Sequence, residues 1–177
     1  FGTGSDHIRE KDGLWAVLFW LNLLATRQQS GDEILREHWQ TYGRDYYQRY
    51  DYFIPNSDHA AALFNELKKN AETGAAQIGG RRVSLLANFT YHDPVDHSVS
   101  RNQGIQLHFG EDSRIIYRLS GTGTSGATLR VYLQQQETDP AKHALNPQDV
   151  LLSLGEIAAE YARIAHFTGL KSPTAII

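Results

Sequence analysis

Apolar residues recur with two different periods along this chain, and the change of period divides it. From Glu10 to Gln28 they are dense on nearly every face, around the run "LWAVLFWLNLLA" (Leu14 to Ala25). That predicts a long helix buried inside a larger assembly. A second helix is expected over Asp32 to Thr41, with Asp32 as its N-cap and Gly43 just past its end. Arg44 to Phe53, "RDYYQRYDYF", predicts an aromatic strand. Pro55-Asn56-Ser57 then breaks the chain, and Ser57 is expected to cap a helix reaching about Thr73. After Gly79-Gly80 the period drops to two. Val83 to Tyr91 reads as a strand, and Gly104 to Phe109 alternates, with Ile105, Leu107 and Phe109 on one face. Ser113 to Leu119 follows a short turn at Gly110-Glu111-Asp112, and Leu129, Val131 and Leu133 alternate in the next strand. Four strands this close in sequence favour an antiparallel sheet. Glu137 to Asn146 is polar and predicts a loop. Pro147 opens a closing helix expected to run to about Phe167 and end at Gly169. There is no internal repeat. The part after Gly43 therefore reads as an α+β fold, an antiparallel sheet with helices packed on one face.

Composition changes this picture little. The 177 residues are 41% hydrophobic and 21% charged, enough for a core without staples. A net charge of −3 gives no general attraction to nucleic acid or to an anionic membrane. With no cysteine there is neither a disulfide framework nor a thiolate metal site. The Leu14–Ala25 run is too short to span a bilayer, and Asp6, Glu10 and Asp12 precede it where a signal peptide would be basic. A chain that opens on Phe1 and contains no methionine is expected to be part of a longer product.

The stretch "RLSGTGTSGATLRVY" (Arg118 to Tyr132) carries the main candidate chemistry. Seven small residues, Ser120 to Gly126, lie between two β-like runs with Arg118 and Arg130 on either side. Successive amides in a glycine-rich turn form a concave nest for a phosphate. Hydroxyls of Ser120, Thr122, Thr124 and Ser125 add donors, and two guanidinium forks supply charge-assisted bonds. A plain hairpin with two solvated arginines is the alternative. A Walker loop is excluded, because no Gly-Lys-Ser/Thr ending and no helix follow.

Other features point less far. His92-Asp93 and Asp96-His97 are the densest of the eight histidines with carboxylates, but a proline sits among them and the stretch reads as a turn rather than a zinc site. Asn88-Phe89-Thr90 matches a glycosylation sequon inside a predicted strand. The aromatics Tyr46, Tyr47, Tyr50, Tyr52 and Phe53 have only Arg44 and Arg49 beside them, so strand packing explains them better than base stacking. Ser57 and Ser100 lack a base and an orienting group in the pattern.

The glycine loop resembles the phosphate-binding loop in the last domain of the α-D-phosphohexomutases, and within them the phosphoglucomutase branch. Two more stretches agree and keep the family's order. "FGTGSDHIREKDGLWAV" (Phe1 to Val17) looks like the segment following the sugar-recognition loop. "YHDPVDHSVSRNQG" (Tyr91 to Gly104) resembles a stretch typical of the phosphoglucomutase branch. "RYDY" (Arg49 to Tyr52) fits at the domain junction. The resemblance covers nearly the whole chain.

It implies an enzyme of four domains around one cleft, in which a phosphoserine and a magnesium ion interconvert glucose 1-phosphate and glucose 6-phosphate through glucose 1,6-bisphosphate. It implies residues 1–43 as the helical tail of the third, α/β domain and 44–177 as the fourth. Arg118, Ser120, Gly121, Thr122 and Arg130 would grip the phosphate that is not being transferred. Lys11 matches a lysine facing the reacting sugar, and His7 in the same stretch is expected to line the cleft. For Arg49, ligand contact on domain closure and a structural salt bridge both stay open. The serine nucleophile motif and the aspartate-rich magnesium loop are absent from the chain, and the sugar loop survives only as Phe1-Gly2. The resemblance therefore implies a carboxyl-terminal fragment, inactive alone, whose magnesium belongs to an upstream domain. Its partners would be the missing amino-terminal domains and a phosphorylated hexose, not nucleic acid or membrane, and its location the cytoplasm. A non-enzymatic phospho-ligand binding or scaffold protein descended from a mutase is the competing expectation.

Overall fold

The computed structural model describes residues 12–123 and 126–177. Helix α1 (Gly13–Arg27) starts where the Asp12 carboxylate accepts a 2.9 Å bond from the Trp15 amide. It starts three residues later than the apolar pattern suggests. None of its residues is buried by this chain, and Leu14, Val17, Leu18 and Leu21 are exposed, so the helix predicted as buried has no cover among the described residues. Helix α2 (Gly31–Tyr42) is capped by Ser30, not Asp32. Ser30 and Glu33 form a reciprocal capping box, in which the Ser30 amide donates to the Glu33 carboxylate at 2.8 Å and the Glu33 amide donates to the Ser30 hydroxyl at 3.3 Å. Gly43 ends the helix as expected, with φ at +85°.

Strand β1 (Arg44–Ile54) follows directly. Asn56 then caps α3 (Ser57–Thr73), accepting from the amides of Asp58 and His59, so Ser57 is the first helical residue rather than the cap. Two short strands, β2 (Gln77–Ile78) and β3 (Arg81–Arg82), form a small hairpin. The expected Val83–Tyr91 strand is broken into β4 (Leu85–Asn88) and β5 (Tyr91–His92). They serve different sheets: β4 joins the main one, while β5 folds back on β6 (Val99–Ser100). Strands β7 (Ile105–Phe109), β8 (Ser113–Gly123) and β9 (Gly126–Glu137) match the alternating runs. A 3₁₀ turn at Pro140–Lys142 interrupts the predicted loop. The closing helix is two helices, α4 (Pro147–Tyr161) and α5 (Ile164–Thr168), separated at Arg163 in the left-handed region. A final strand, β10 (Ala175–Ile176), lies along β1.

The main sheet has six strands in the order β10-β1-β9-β8-β7-β4, with every pairing antiparallel. One face carries the core. Ile105, Leu107, Ile115, Tyr117, Leu129, Val131 and Leu133 are each 0–1% exposed there. Helix α3 packs on them with Ala60, Leu63, Phe64 and Leu67, the one-sided spacing of an amphipathic helix. Helix α4 adds Leu151, Leu154, Ile157 and Ala158. Full burial of each such leucine is worth about 1.5–3 kcal/mol. The Tyr117 hydroxyl, inside this core, donates to the Ala158 carbonyl at 2.9 Å, and burial pushes its pKa well above the usual phenol value. At Gly155 α4 comes close to Tyr50, since a Cβ there would lie 2.6 Å from the tyrosine ring. Among the described residues no helix covers the opposite face of the sheet at its centre, where Arg49, Asp51, Arg130, Tyr132, Ile116 and Arg118 lie and none is buried.

Candidate anion site on the open face

Alternation along the strands puts the polar residues of β1, β8 and β9 on this open face. The register then brings specific ones together. Arg118 on β8 is the direct cross-strand partner of Arg130 on β9, and Arg130 is the partner of Asp51 on β1. A row Asp51–Arg130–Arg118 therefore crosses three strands. Two like charges directly opposite each other on a sheet are unfavourable unless something compensates them. Among the described residues neither arginine has a salt-bridge partner, and the Arg130 Nε is buried with no hydrogen-bond acceptor. The natural compensator, Asp51, is occupied elsewhere. Its two carboxylate oxygens accept from Arg49 Nε at 2.8 Å and Nη2 at 3.0 Å. That side-chain bond raises the Arg49 pKa further above its ordinary value.

Part of the glycine-rich stretch is β-structure, while Thr124 and Ser125 lie outside the described residues. Strands β8 and β9 extend into it, pairing Ser120 with Thr128 and Gly123 with Gly126. Between those pairs Gly121 and Thr122 face the single residue Ala127, which makes a β-bulge. Gly121 has φ +72°, the conformation a bulge-opening glycine supplies, and a Cβ at this position would meet nothing within 4 Å. The backbone at Gly121 is thus open to a ligand. The Ser120 hydroxyl donates only a long 3.4 Å bond to the Thr128 carbonyl, so it is readily redirected. Thr122 is placed as backbone of β8. His7 and Lys11 lie outside the described residues.

Gly104 shapes the other side of the site. A Cβ there would sit 2.8 Å from the Tyr117 carbonyl oxygen and 3.1 Å from Arg118 Cγ. Its absence lets the Arg118 stem lie against the strand edge. The guanidinium borders a groove of about 310 Å³ whose wall includes Phe89, Tyr91, Gln103, Gln106 and Ile116. Chemically, neighbouring positions of this hairpin offer two cations without an ion pair among the described residues, a hydroxyl and open backbone, which suits a compact, multiply charged oxyanion.

The remaining candidates resolve into structure. Asp93 accepts from the amides of Val95 and Asp96, and Asp96 accepts from that of Ser98, so these carboxylates shape the β5–β6 turn. No three His, Cys, Asp or Glu residues come together as a metal site among the described residues. Tyr46, Tyr50 and Tyr52 are buried on the helix side, while Tyr47 and Phe53 are exposed. The Asn88 side chain donates to Asn102 at 2.8 Å. Asp51 was missed in the sequence. Its only local signal is the i, i+2 spacing to Arg49; its place beside Arg130 depends on a pairing across some eighty residues.

A family model described as "Phosphoglucomutase-1, C-terminal domain" matches residues 44–174, and one for "Phosphoglucomutase/phosphomannomutase, alpha/beta/alpha domain III" matches 2–42. Over 99% of its length the chain is 49% identical to a phosphoglucomutase of Rhizobium radiobacter, covering 33% of that protein. It is 48% identical to phosphoglucomutase-1 of Bos taurus, again covering 99% of the chain and 33% of the relative. The open-form crystal structure of parafusin from Paramecium, described as a phosphoglucomutase, superposes with a TM-score of 0.82 at 42% identity, over all of this chain and 31% of that one. The chain thus spans about a third of the length of these relatives. By the match of the C-terminal domain model to most of its length, the chain belongs to the phosphoglucomutase family.

Proposed function

We propose that the whole protein is a phosphoglucomutase, an isomerase that interconverts glucose 1-phosphate and glucose 6-phosphate through glucose 1,6-bisphosphate. In this reading the chain supplies the grip on the phosphate that is not being transferred. The observation that carries it is the facing pair Arg118–Arg130, neither of which forms an ion pair among the described residues. A phosphate is dianionic near neutral pH, and two guanidinium forks compensate it with short, charge-assisted bonds. Ser120, Gly121 and Thr122 add a hydroxyl and backbone amides at the bulge. Phosphoryl transfer depends mostly on position and electrostatics, so fixing one end of the sugar phosphate orients the other for reaction. The two ends exchange roles as the bisphosphate turns over, which suits a grip that reads phosphate rather than sugar.

The same reading divides the chain into 1–43, the end of the third domain, and 44–177, the fourth. The matched ranges of the two family models and the helix stop at Gly43 support this division. The exposed apolar residues of α1 fit packing against the rest of the third domain. Lys11 and His7 are assigned to the cleft on the resemblance of their segment alone. The metal and the phosphoserine are assigned, on the resemblance, to the two thirds of the relatives that this chain does not cover, and no step here runs through them. A cytoplasmic location is proposed with support from the relative named "Phosphoglucomutase, cytoplasmic 1" of Zea mays; among the described residues no helix is long and apolar enough to cross a membrane.

The division of labour predicts that the purified 177-residue chain turns over no glucose 1-phosphate in a coupled assay, while the full-length protein does. Turnover by the isolated chain would place the whole catalytic apparatus within it and sink this reading.

A further inference from the structure

We propose that Arg49 is a positioning residue that sequesters Asp51, and thereby keeps Arg130 free to take phosphate. The inference rests on the phosphate-grip reading above. Asp51 is the side chain best placed to neutralise the grip. It stands directly across from Arg130 on the neighbouring strand, on the same face, and is mostly shielded from water. An aspartate so placed would ordinarily pair with the arginine opposite. Such a pair would compete with every incoming anion, because a guanidinium committed to a carboxylate must give it up to bind a phosphate. Arg49 prevents this from the same strand. Two residues along β1, its fork meets the carboxylate edge-on, with Nε to Oδ1 at 2.8 Å and Nη2 to Oδ2 at 3.0 Å. This is the bidentate geometry in which both oxygens are used at once. Arg130 is left with a buried Nε that has no acceptor among the described residues and can donate to an anion.

The role requires a third cation near the grip without requiring it to touch the ligand. Tyr132 is the cross-strand partner of Arg49 and borders the same pair.

The test uses the full-length protein and steady-state kinetics with glucose 1-phosphate. Arg49→Ala should raise KM about tenfold, because the released Asp51 now competes for Arg130, with a smaller change in kcat. Arg49→Ala combined with Asp51→Asn should bring KM back to within about threefold of wild type, since the competitor is gone. Arg49→Lys, which keeps a cation beside Asp51 and is the gentler change for folding, should lie much closer to wild type than Arg49→Ala. A double variant as impaired as Arg49→Ala, or an Arg49→Lys variant equally impaired, would overturn the proposal and make Arg49 a direct ligand contact. Arg130→Ala run alongside separates the two levels. A KM unchanged by that substitution would overturn the phosphate grip itself.

Discussion

Arg118→Ala in the full-length protein should lower kcat/KM for glucose 1-phosphate by about 100- to 1000-fold. Hydrogen bonds to a charged group contribute about 1.5–3 kcal/mol each, and about 1.4 kcal/mol is a factor of ten in rate. A guanidinium making two such bonds to a phosphate, each toward the lower end of that range, accounts for about two to three orders of magnitude. The loss should appear in both parameters. KM rises because binding energy is gone, and kcat falls because the distal end of the substrate is no longer held for in-line transfer. Arg118→Lys should recover only a fraction, since an ammonium cannot reproduce the planar fork. Stability should barely change, because Arg118 is exposed and makes no ion pair among the described residues. A full loss of activity accompanied by a large drop in melting temperature would mean that the residue is structural.

Gly126→Ala should be the most damaging small substitution in the hairpin, with a destabilisation of about 2–5 kcal/mol. Gly126 opens β9 with φ at +99°, where an L-residue is strained. Its absent Cβ would also sit 2.7 Å from the Ile54 carbonyl oxygen and 3.1 Å from both Cα and O of Pro55. These are backbone atoms at the β1–α3 corner and they cannot swing aside. At about 2–4 °C per kcal/mol for a domain of this size, the apparent Tm should fall by roughly 4–20 °C. Gly121→Ala is the matched control. It also has positive φ, but a Cβ there meets nothing within 4 Å, so only the backbone cost of about 1–2 kcal/mol remains. Equal melting shifts for the two would contradict the crowding argument.

The two glycines also show how far the sequence could be read. The alternating runs at Ile105–Phe109, Ser113–Leu119 and Leu129–Leu133 gave the central strands and their buried face without error. Period two is a strong local signal, and each run lies on a sheet with only one covered face. The meeting of Arg118 and Arg130 was legible as well, since a hairpin between adjacent strands was enough to suggest it and the two are direct cross-strand partners. Asp51 was not, because β1 pairs with β9 across the intervening helix and three other strands of the sheet. No local pattern encodes a register set at that distance. The split of the last helix at Arg163 had no glycine or proline to announce it. There the tertiary packing dictates the break, with Ala162 and Ile164 on either side both buried and Arg163 reaching Glu66 at 2.9 Å. The caps were displaced by one or two residues, to Ser30 and Asn56, because neighbouring polar residues compete for the same amides.

The central claim is that the Arg118–Arg130 hairpin grips the non-transferring phosphate. The most direct measurement is calorimetric titration of the full-length protein with glucose 1-phosphate, run in parallel on the wild type and on Arg118→Ala. The account predicts saturable binding by the wild type and a dissociation constant at least tenfold weaker for the variant. Equal affinity in the two titrations would contradict it, and would move the phosphate site away from this hairpin.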